Sequence, residues 1–199
     1  MTGQTVRAFV AIEIPLYVQE SLAEIQETLE HKIARRSVRW VSPQGIHLTL
    51  SFLGEITSEQ ASKLMPRLSG IARMSNPFRL SIGRLGCFPS PRKPRVIWAG
   101  VLGDLVQLHD IQDVIQRCLA DMGHKREKLK FSPHLTLGRV RRTACHQDLN
   151  AIDKYMRIAW FKSACEWSVE DVSLVKSILS PSGVVYSTLG QFPFKGLCD

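Results

Sequence analysis

The sequence has no C-x-x-C pair, no glycine-rich P-loop and no apolar run long enough to span a membrane. Its five cysteines, an odd number, argue against a disulfide framework and against a zinc knuckle. The longest apolar runs, such as Ala8–Ile12, have the length of a strand, and the first residues do not have the pattern of a secretory signal. We therefore expect a cytoplasmic protein with reduced thiols and no membrane segment.

Motifs of the common hydrolytic centres are also missing. H-E-x-x-H, H-x-H and G-x-S-x-G do not occur in the sequence. A zinc site would require Glu55, Cys87 or Cys145 to join a histidine in space, and nothing in their spacing indicates this. We therefore expect neither a metal nor a cofactor.

What the sequence does have is an excess of positive charge. It contains 26 Lys+Arg against 18 Asp+Glu in 199 residues, a net charge of +8, and 44% of its residues are hydrophobic. A basic surface favours polyanionic partners, although a basic protein without a nucleic-acid role is an open alternative. The basic residues cluster in the ranges 92–95, 125–130 and 139–142.

Alternating patterns of apolar residues predict an α+β protein. We expect strands near residues 6–14, 39–41, 46–53, 78–85, 96–102, 134–140, 172–179 and 184–189. Helices are expected at 16–35, after Thr57, from Asp104 to Gly123 and at 148–156. Thr57 and Gln60 form a capping-box pattern, whereas Pro66 is expected to kink that second helix or shift its start. A proline-rich loop is predicted at 88–94 and a turn at 180–183.

One tetrapeptide, His-Leu-Thr-Leu, occurs twice, at 47–50 and at 134–137. Side chains alternate along a strand, so His47 and Thr49 share one face while their leucines point to the other. His134 and Thr136 share a face in the same way. The repeat suggests a single domain over residues 1–199 made of two related lobes, each carrying one H-x-T-x motif, that face each other across a cleft.

Two histidines and two threonines suit the opening of a phosphodiester. Imidazoles with a pKa of about 6.5 serve as acid or base at neutral pH, and threonine hydroxyls donate hydrogen bonds to phosphoryl oxygens. For one copy, an ordinary half-buried strand histidine is the simpler interpretation; two identical copies favour a functional pair. The motif is symmetric and does not say which histidine is the acid.

The two motifs resemble the signature of the 2H phosphoesterase superfamily, and the chain resembles its LigT-like branch of RNA 2′,3′-cyclic phosphodiesterases, also called 2′-5′ RNA ligases. Supporting segments lie at 7–12, 39–41, 52–55, 94–100, 131–133 and 180–183. The resemblance implies a bilobal, pseudo-twofold α+β fold in which two antiparallel sheets line a central cleft and the helices lie outside.

The resemblance also implies an activity: metal-free hydrolysis of RNA 2′,3′-cyclic phosphodiesters to 2′-phosphomonoesters, and in some members reversible 2′-5′ joining of tRNA halves. His47 would then donate a proton to the departing 3′-oxygen, and His134 would accept one from water. Thr49 and Thr136 would hold the phosphate.

Two further residues are candidates for substrate binding. Phe9 is expected to stack on a base or else to belong to the core, and Arg139 reaches a phosphate only if Gly138 permits a twist or bulge. Trp40 and Trp98 are expected in the core. Alternative functions are a non-catalytic RNA-end-binding module and a phosphodiesterase acting on a small nucleotide such as 2′,5′-oligoadenylate. We expect a monomer.

Overall fold

The computed structural model describes residues 5–33, 35–125, 130–158, 165–180 and 183–196. In these residues the expected α+β class is confirmed, with nine strands and four α-helices: β1 (Thr5–Glu13), α1 (Leu16–Lys32), β2 (Val38–Trp40), β3 (His47–Thr57), α2 (Ser58–Arg73), β4 (Phe78–Ser90), β5 (Lys93–Gly103), α3 (Leu105–Asp121), β6 (His134–Val140), α4 (His146–Ile158), β7 (Glu166–Val169), β8 (Asp171–Ser180) and β9 (Gly183–Pro193). None of the described helices is long and apolar enough to cross a membrane.

The strands form one antiparallel sheet with the order β7-β4-β5-β6-β3-β1-β8-β9, and β2 pairs with β6. The two strands that carry the motifs, β3 and β6, are central neighbours paired at one position, Leu48 opposite Leu135. The expected pair of sheets is therefore present as two halves of a single sheet. They are joined where the two motifs lie.

The motif leucines anchor the sheet to the main core. Leu48, Leu50, Leu135 and Leu137 are at most 1% exposed and belong to the large hydrophobic cluster that also contains the inner faces of the helices. Burial of each such side chain stabilises the fold by roughly 1.5–3 kcal/mol, so the leucines fix which face of each motif strand turns inward.

The helix boundaries follow local chemistry. The capping box is confirmed, because the Gln60 N–H donates to Thr57 Oγ1 at 3.1 Å and the Thr57 N–H donates to Gln60 Oε1 at 2.8 Å. Pro66 does not shift the start of α2, which continues without a break to Arg73. Asp104 precedes α3, but its carboxylate accepts the Arg79 N–H at 2.9 Å and makes no cap bond to the helix. The end of α1 at Lys32 is earlier than expected.

The prediction of a loop over 88–94 is wrong. Strand β4 continues to Ser90 and β5 begins at Lys93, so the segment is the end of a hairpin. Pro89 and Pro94 oppose each other beside a register shift, where prolines are tolerated in a sheet. Ser180 pairs with Gly183 across the last hairpin; Pro181 and Ser182 of the predicted turn, and residues 126–129 of the basic run, lie outside the described residues.

Candidate active site

The four motif side chains lie on one face of the sheet. Leu48 and Leu135 oppose each other and both face the core, so the residues on either side of them face away from it. The structure thus brings together His47, Thr49, His134 and Thr136, each half-buried. The two histidines are also close enough for the charge of His134 to act on His47.

Both imidazoles are held through the same ring atom. His47 Nδ1 lies 2.9 Å from Gly45 O, and His134 Nδ1 lies 2.7 Å from Ser132 O. A carbonyl accepts only, so each Nδ1 carries the proton and donates it. Each neutral ring therefore has its lone pair on Nε2, the tautomer that a base needs when Nε2 faces the reacting group.

Aromatic rings enclose His47. Phe9 stacks on it with ring centroids 4.5 Å apart, and Tyr186 meets it edge-on at 4.9 Å. Burial lowers the pKa of His47 to about 4; the hydrogen bond to Gly45 and the charge of Glu13 oppose this, while nearby His134 adds to it. Phe9 is 3% exposed and packs outside the main core, on the motif side of the sheet. Its stacking on a substrate base stays a prediction.

His134 has a different setting. Phe88 meets it edge-on at 4.9 Å, and Trp98 lies 6.3 Å away by ring centroids. Burial lowers the pKa of His134, and the positive charge of Arg139 acts in the same direction. Trp98 was expected in the core but is only half-buried, and it lies opposite Thr136 on the motif face. Glycine makes this possible, because a Cβ at Gly86 would come within 2.3 Å of the indole.

Each motif contains a β-bulge at the same position, its fourth residue. Between β1 and β3, Ala11 opposes Thr49 and Val10 opposes Ser51, so Leu50 is the extra residue. Between β5 and β6, Trp98 opposes Thr136 and Ile97 opposes Gly138, so Leu137 is the extra residue. The two halves therefore share this backbone feature as well as the repeated four residues.

The second bulge determines which face of the strand carries Arg139. Beyond it, Val140 is buried in the core whereas Arg139 is exposed, so the arginine has changed to the motif side of the strand. The twist or bulge near Gly138 that Arg139 requires to reach a phosphate is therefore present. In the first half the corresponding residue is Phe52, which is 61% exposed.

Two glutamines that were not among the predicted site residues hold the bulges. Gln26 of α1 is 6% exposed, and its Nε2 donates to Leu137 O at 2.8 Å and to Val41 O at 2.7 Å. Gln112 of α3 donates to Leu50 O at 3.3 Å. The available signal was a polar residue inside an apolar helical stripe, because Gln26 lies between Leu22 and Leu29 on the core face of α1.

Glu13 was missed as well. It lies directly opposite His47 in the β1–β3 pairing, and its Oε1 accepts a hydrogen bond from Thr188 Oγ1 at 2.7 Å. At the equivalent place in the other half, Gly100 lies opposite His134. A carboxylate thus accompanies the first histidine and a guanidinium the second.

The cysteine and glutamate considered as metal ligands lie apart. Cys87 is buried on the helix side of the sheet, and burial raises the pKa of its thiol to about 12. Glu55 lies opposite Arg7, several residues along β3 from His47. Across the described ranges, no three His, Cys, Asp or Glu side chains are grouped as a metal site would require.

Comparisons with known protein sequences identify relatives over most of the chain. Residues 12–98 and 105–186 match the family model described as LigT like phosphoesterase. Relatives named RNA 2′,3′-cyclic phosphodiesterase include one from Aeropyrum pernix, 34% identical over 84% of this chain and 92% of that protein. Another, from Archaeoglobus fulgidus, is 34% identical over 94% of this chain and 99% of that protein.

Solved structures give the same result for the fold. A Thermus thermophilus protein superposes with a TM-score of 0.80 at 28% identity, covering 96% of this chain and 98% of that chain. E. coli LigT complexed with 3′-AMP superposes with a TM-score of 0.77 at 23% identity, covering 96% and 99%.

Proposed function

The chain belongs to the LigT-like phosphoesterase family, and we propose that it hydrolyses RNA 2′,3′-cyclic phosphodiesters to 2′-phosphomonoesters by metal-independent acid–base catalysis. The observation that carries this proposal is the pairing of Leu48 with Leu135, which puts both H-x-T-x motifs side by side on one face. The names of the curated relatives support the substrate class. We also infer that residues 1–199 form one domain of two related lobes, because the motif and its bulge occur once in each half of the sheet.

In the proposed reaction, His134 Nε2 takes a proton from water while the water oxygen bonds to phosphorus. The bond from phosphorus to the 3′-oxygen breaks, and His47 Nε2 gives its proton to that oxygen. Thr49 and Thr136 donate hydrogen bonds to the non-bridging oxygens as negative charge increases there. The product is a 2′-phosphomonoester with a free 3′-hydroxyl. In ligation, the 5′-hydroxyl of a second strand replaces water: its oxygen bonds to phosphorus, its proton goes to His134, the bond to the 3′-oxygen breaks and a 2′-5′ linkage forms.

The charges around the two rings support these roles. Glu13 favours the protonated form of His47, which an acid requires, and Arg139 favours the neutral form of His134, which a base requires. In the free protein, burial outweighs Glu13 and lowers the pKa of His47 to about 4. A bound phosphodiester places negative charge between the rings and raises the pKa of both, so His47 gains its proton as substrate binds.

The test is turnover of an RNA oligonucleotide that ends in a 2′,3′-cyclic phosphate, by EDTA-treated protein. We expect the 2′-phosphate as product, and His47→Ala and His134→Ala should each lower kcat by about 10²–10⁴. His31→Ala, a change on the exposed side of α1, is the matched control and should leave kcat unchanged.

Four results would contradict the proposal. Full turnover in both histidine variants would exclude the acid–base pair, and loss of activity on chelation with recovery on adding zinc would favour a metal. Binding of cyclic-phosphate ends without turnover would indicate an RNA-end-binding module. Turnover of 2′,5′-oligoadenylate in preference to RNA ends would indicate a small-nucleotide enzyme.

A further inference from the structure

An arginine-rich groove continues from the second motif. A shallow groove of about 410 Å³ is lined by Arg39 of β2, Arg139 of β6, Val140, and the residues Arg141, Arg142 and Thr143 that follow β6. All four arginines are exposed. Arg139 belongs to the proposed active site, since its charge acts on His134. We call the other three the groove arginines.

Strand pairing holds these cations together. Arg39 lies directly opposite Arg139 in the β2–β6 register, and the Arg141 N–H donates to Ser37 O at 2.8 Å, which extends the contact between the two segments. The Ala144 N–H donates to Arg141 O at 3.2 Å, which closes a turn around Arg142. Like charges directly opposite each other in a sheet are destabilising, so the arrangement has an energetic cost.

No ion pair among the described residues offsets this cost. Within the described parts of the chain, the ion pairs involve Lys63, Arg79 and Arg117, and none involves an arginine of the groove. Asp148 lies near, but its carboxylate accepts the Cys145 N–H at 3.0 Å, and the arginine whose charge acts on it is Arg36, outside the groove. Uncompensated guanidinium groups around an open groove are a binding site for phosphate groups of an external ligand.

The groove lies at the end of β6, beyond the second motif, and this position relates it to the proposed substrate. Thr136 and Arg139 are separated by about 10 Å along β6 at the usual rise per residue, so the groove begins within reach of the nucleotide next to a phosphate held at Thr136. A 2′,3′-cyclic phosphate ends its RNA strand, so the rest of the strand extends from the site on the 5′ side only. In the corresponding part of the first half, Phe52 stands in place of Arg139, and the one arginine there, Arg7, lies opposite the carboxylate of Glu55.

We propose that the groove arginines, Arg39, Arg141 and Arg142, bind the backbone phosphates of the nucleotides 5′ to the cyclic phosphate. This inference rests on the proposed function and adds to it a substrate preference: the protein favours oligonucleotides over cyclic mononucleotides, which have no 5′ neighbour. The preference acts on binding, because these side chains lie beyond the reacting phosphate.

The test compares a 2′,3′-cyclic mononucleotide with a short single-stranded RNA that ends in the same cyclic nucleotide. Wild-type protein should have the lower KM for the oligonucleotide. In the triple variant Arg39→Gln, Arg141→Gln, Arg142→Gln, the oligonucleotide KM should rise roughly tenfold with kcat unchanged. The slope of log KM against log salt concentration should decrease by about 2, because three phosphate contacts to a single strand are removed. Turnover of the mononucleotide should be unchanged, which also shows that the variant is folded.

The matched control removes the same charge from the helical side of the molecule, by Lys32→Gln, Arg67→Gln and Arg73→Gln, all exposed. An equal rise of KM in this control would overturn the proposal, because the effect would then come from net charge. Equal KM values for both substrates in wild-type protein would overturn it too, while the proposed function stands. Turnover of neither substrate would reject the function and this inference with it.

Discussion

Replacing Glu13 by glutamine tests which histidine is the acid. The substitution keeps the shape of the side chain and an oxygen that accepts the Thr188 hydroxyl, but it removes the negative charge opposite His47. Glu13 favours a proton on His47. Without that charge, less of the proton-carrying acid is present in the substrate complex at neutral pH.

The size of the effect follows from Coulomb's law. Side chains that are directly opposite in an antiparallel pair place their charges roughly 6 Å apart. At that distance two unit charges interact by about 0.7 kcal/mol in water and about 3 kcal/mol at an effective dielectric constant of about 20. Glu13 is exposed, so the lower part of this range applies. We expect kcat at neutral pH to fall by about 3- to 10-fold.

The assay is kcat, which reports the pKa values of the substrate complex, for a cyclic-phosphate-ended RNA between pH 5 and 9. If His47 is the acid, the limb on which activity falls at high pH moves to lower pH in the variant, and the limb at low pH stays in place. Glu55→Gln, which removes a carboxylate farther along the same strand, is the matched control and should move neither limb. Movement of the low-pH limb would refute the reasoning, because it would make His47 the base.

Three further predictions concern stability and the phosphate contacts. Gln26→Leu removes two buried hydrogen bonds and should lower the free energy of unfolding in urea by about 1–3 kcal/mol, whereas the exposed Gln107→Leu should have little effect. The pKa of His47 is about 4 in the fold against an ordinary 6.5, so the unfolded chain binds its proton first as the pH falls. Folding should therefore weaken by about 3 kcal/mol between pH 6.5 and 4, and His47→Gln should flatten that dependence. Thr49→Val and Thr136→Val should each lower kcat by about 10²-fold, and unchanged kcat would exclude the proposed contacts.

Much of the fold was predictable because local patterns and burial agree. The apolar stripe of α1 places Leu22 and Leu29 in the core, and the capping box at Thr57 begins α2 where the sequence predicted. Alternation along a strand separated the histidines from the leucines of each motif, since leucines paired in the core leave the histidines on the other face. The family expected from the two motifs is confirmed by the match over residues 12–98 and 105–186.

The parts that were not predictable depend on register between strands that are distant in the sequence. Between Glu13 and His47 the chain forms α1, strand β2 and two short 3₁₀ turns, and only the β1–β3 pairing makes the two residues neighbours. The same holds for Arg39 and Arg139, which meet through the β2–β6 pairing. The proline-rich hairpin was missed for a related reason, because propensity alone does not show that Pro89 and Pro94 face each other at a register shift.

The two halves share a backbone arrangement but differ in charge, and in the proposed mechanism this difference assigns two roles to a symmetric motif. Both histidines donate Nδ1–H to a carbonyl two residues earlier. Both motifs end in a bulge, and the carbonyl of the extra residue accepts a hydrogen bond from a glutamine of a helix. Neither the motif nor its backbone therefore distinguishes acid from base. The distinction comes from the neighbours, a carboxylate beside His47 and a guanidinium beside His134. The same guanidinium begins the arginine groove, so the proposed base lies on the side of the cleft from which we propose that the RNA strand extends.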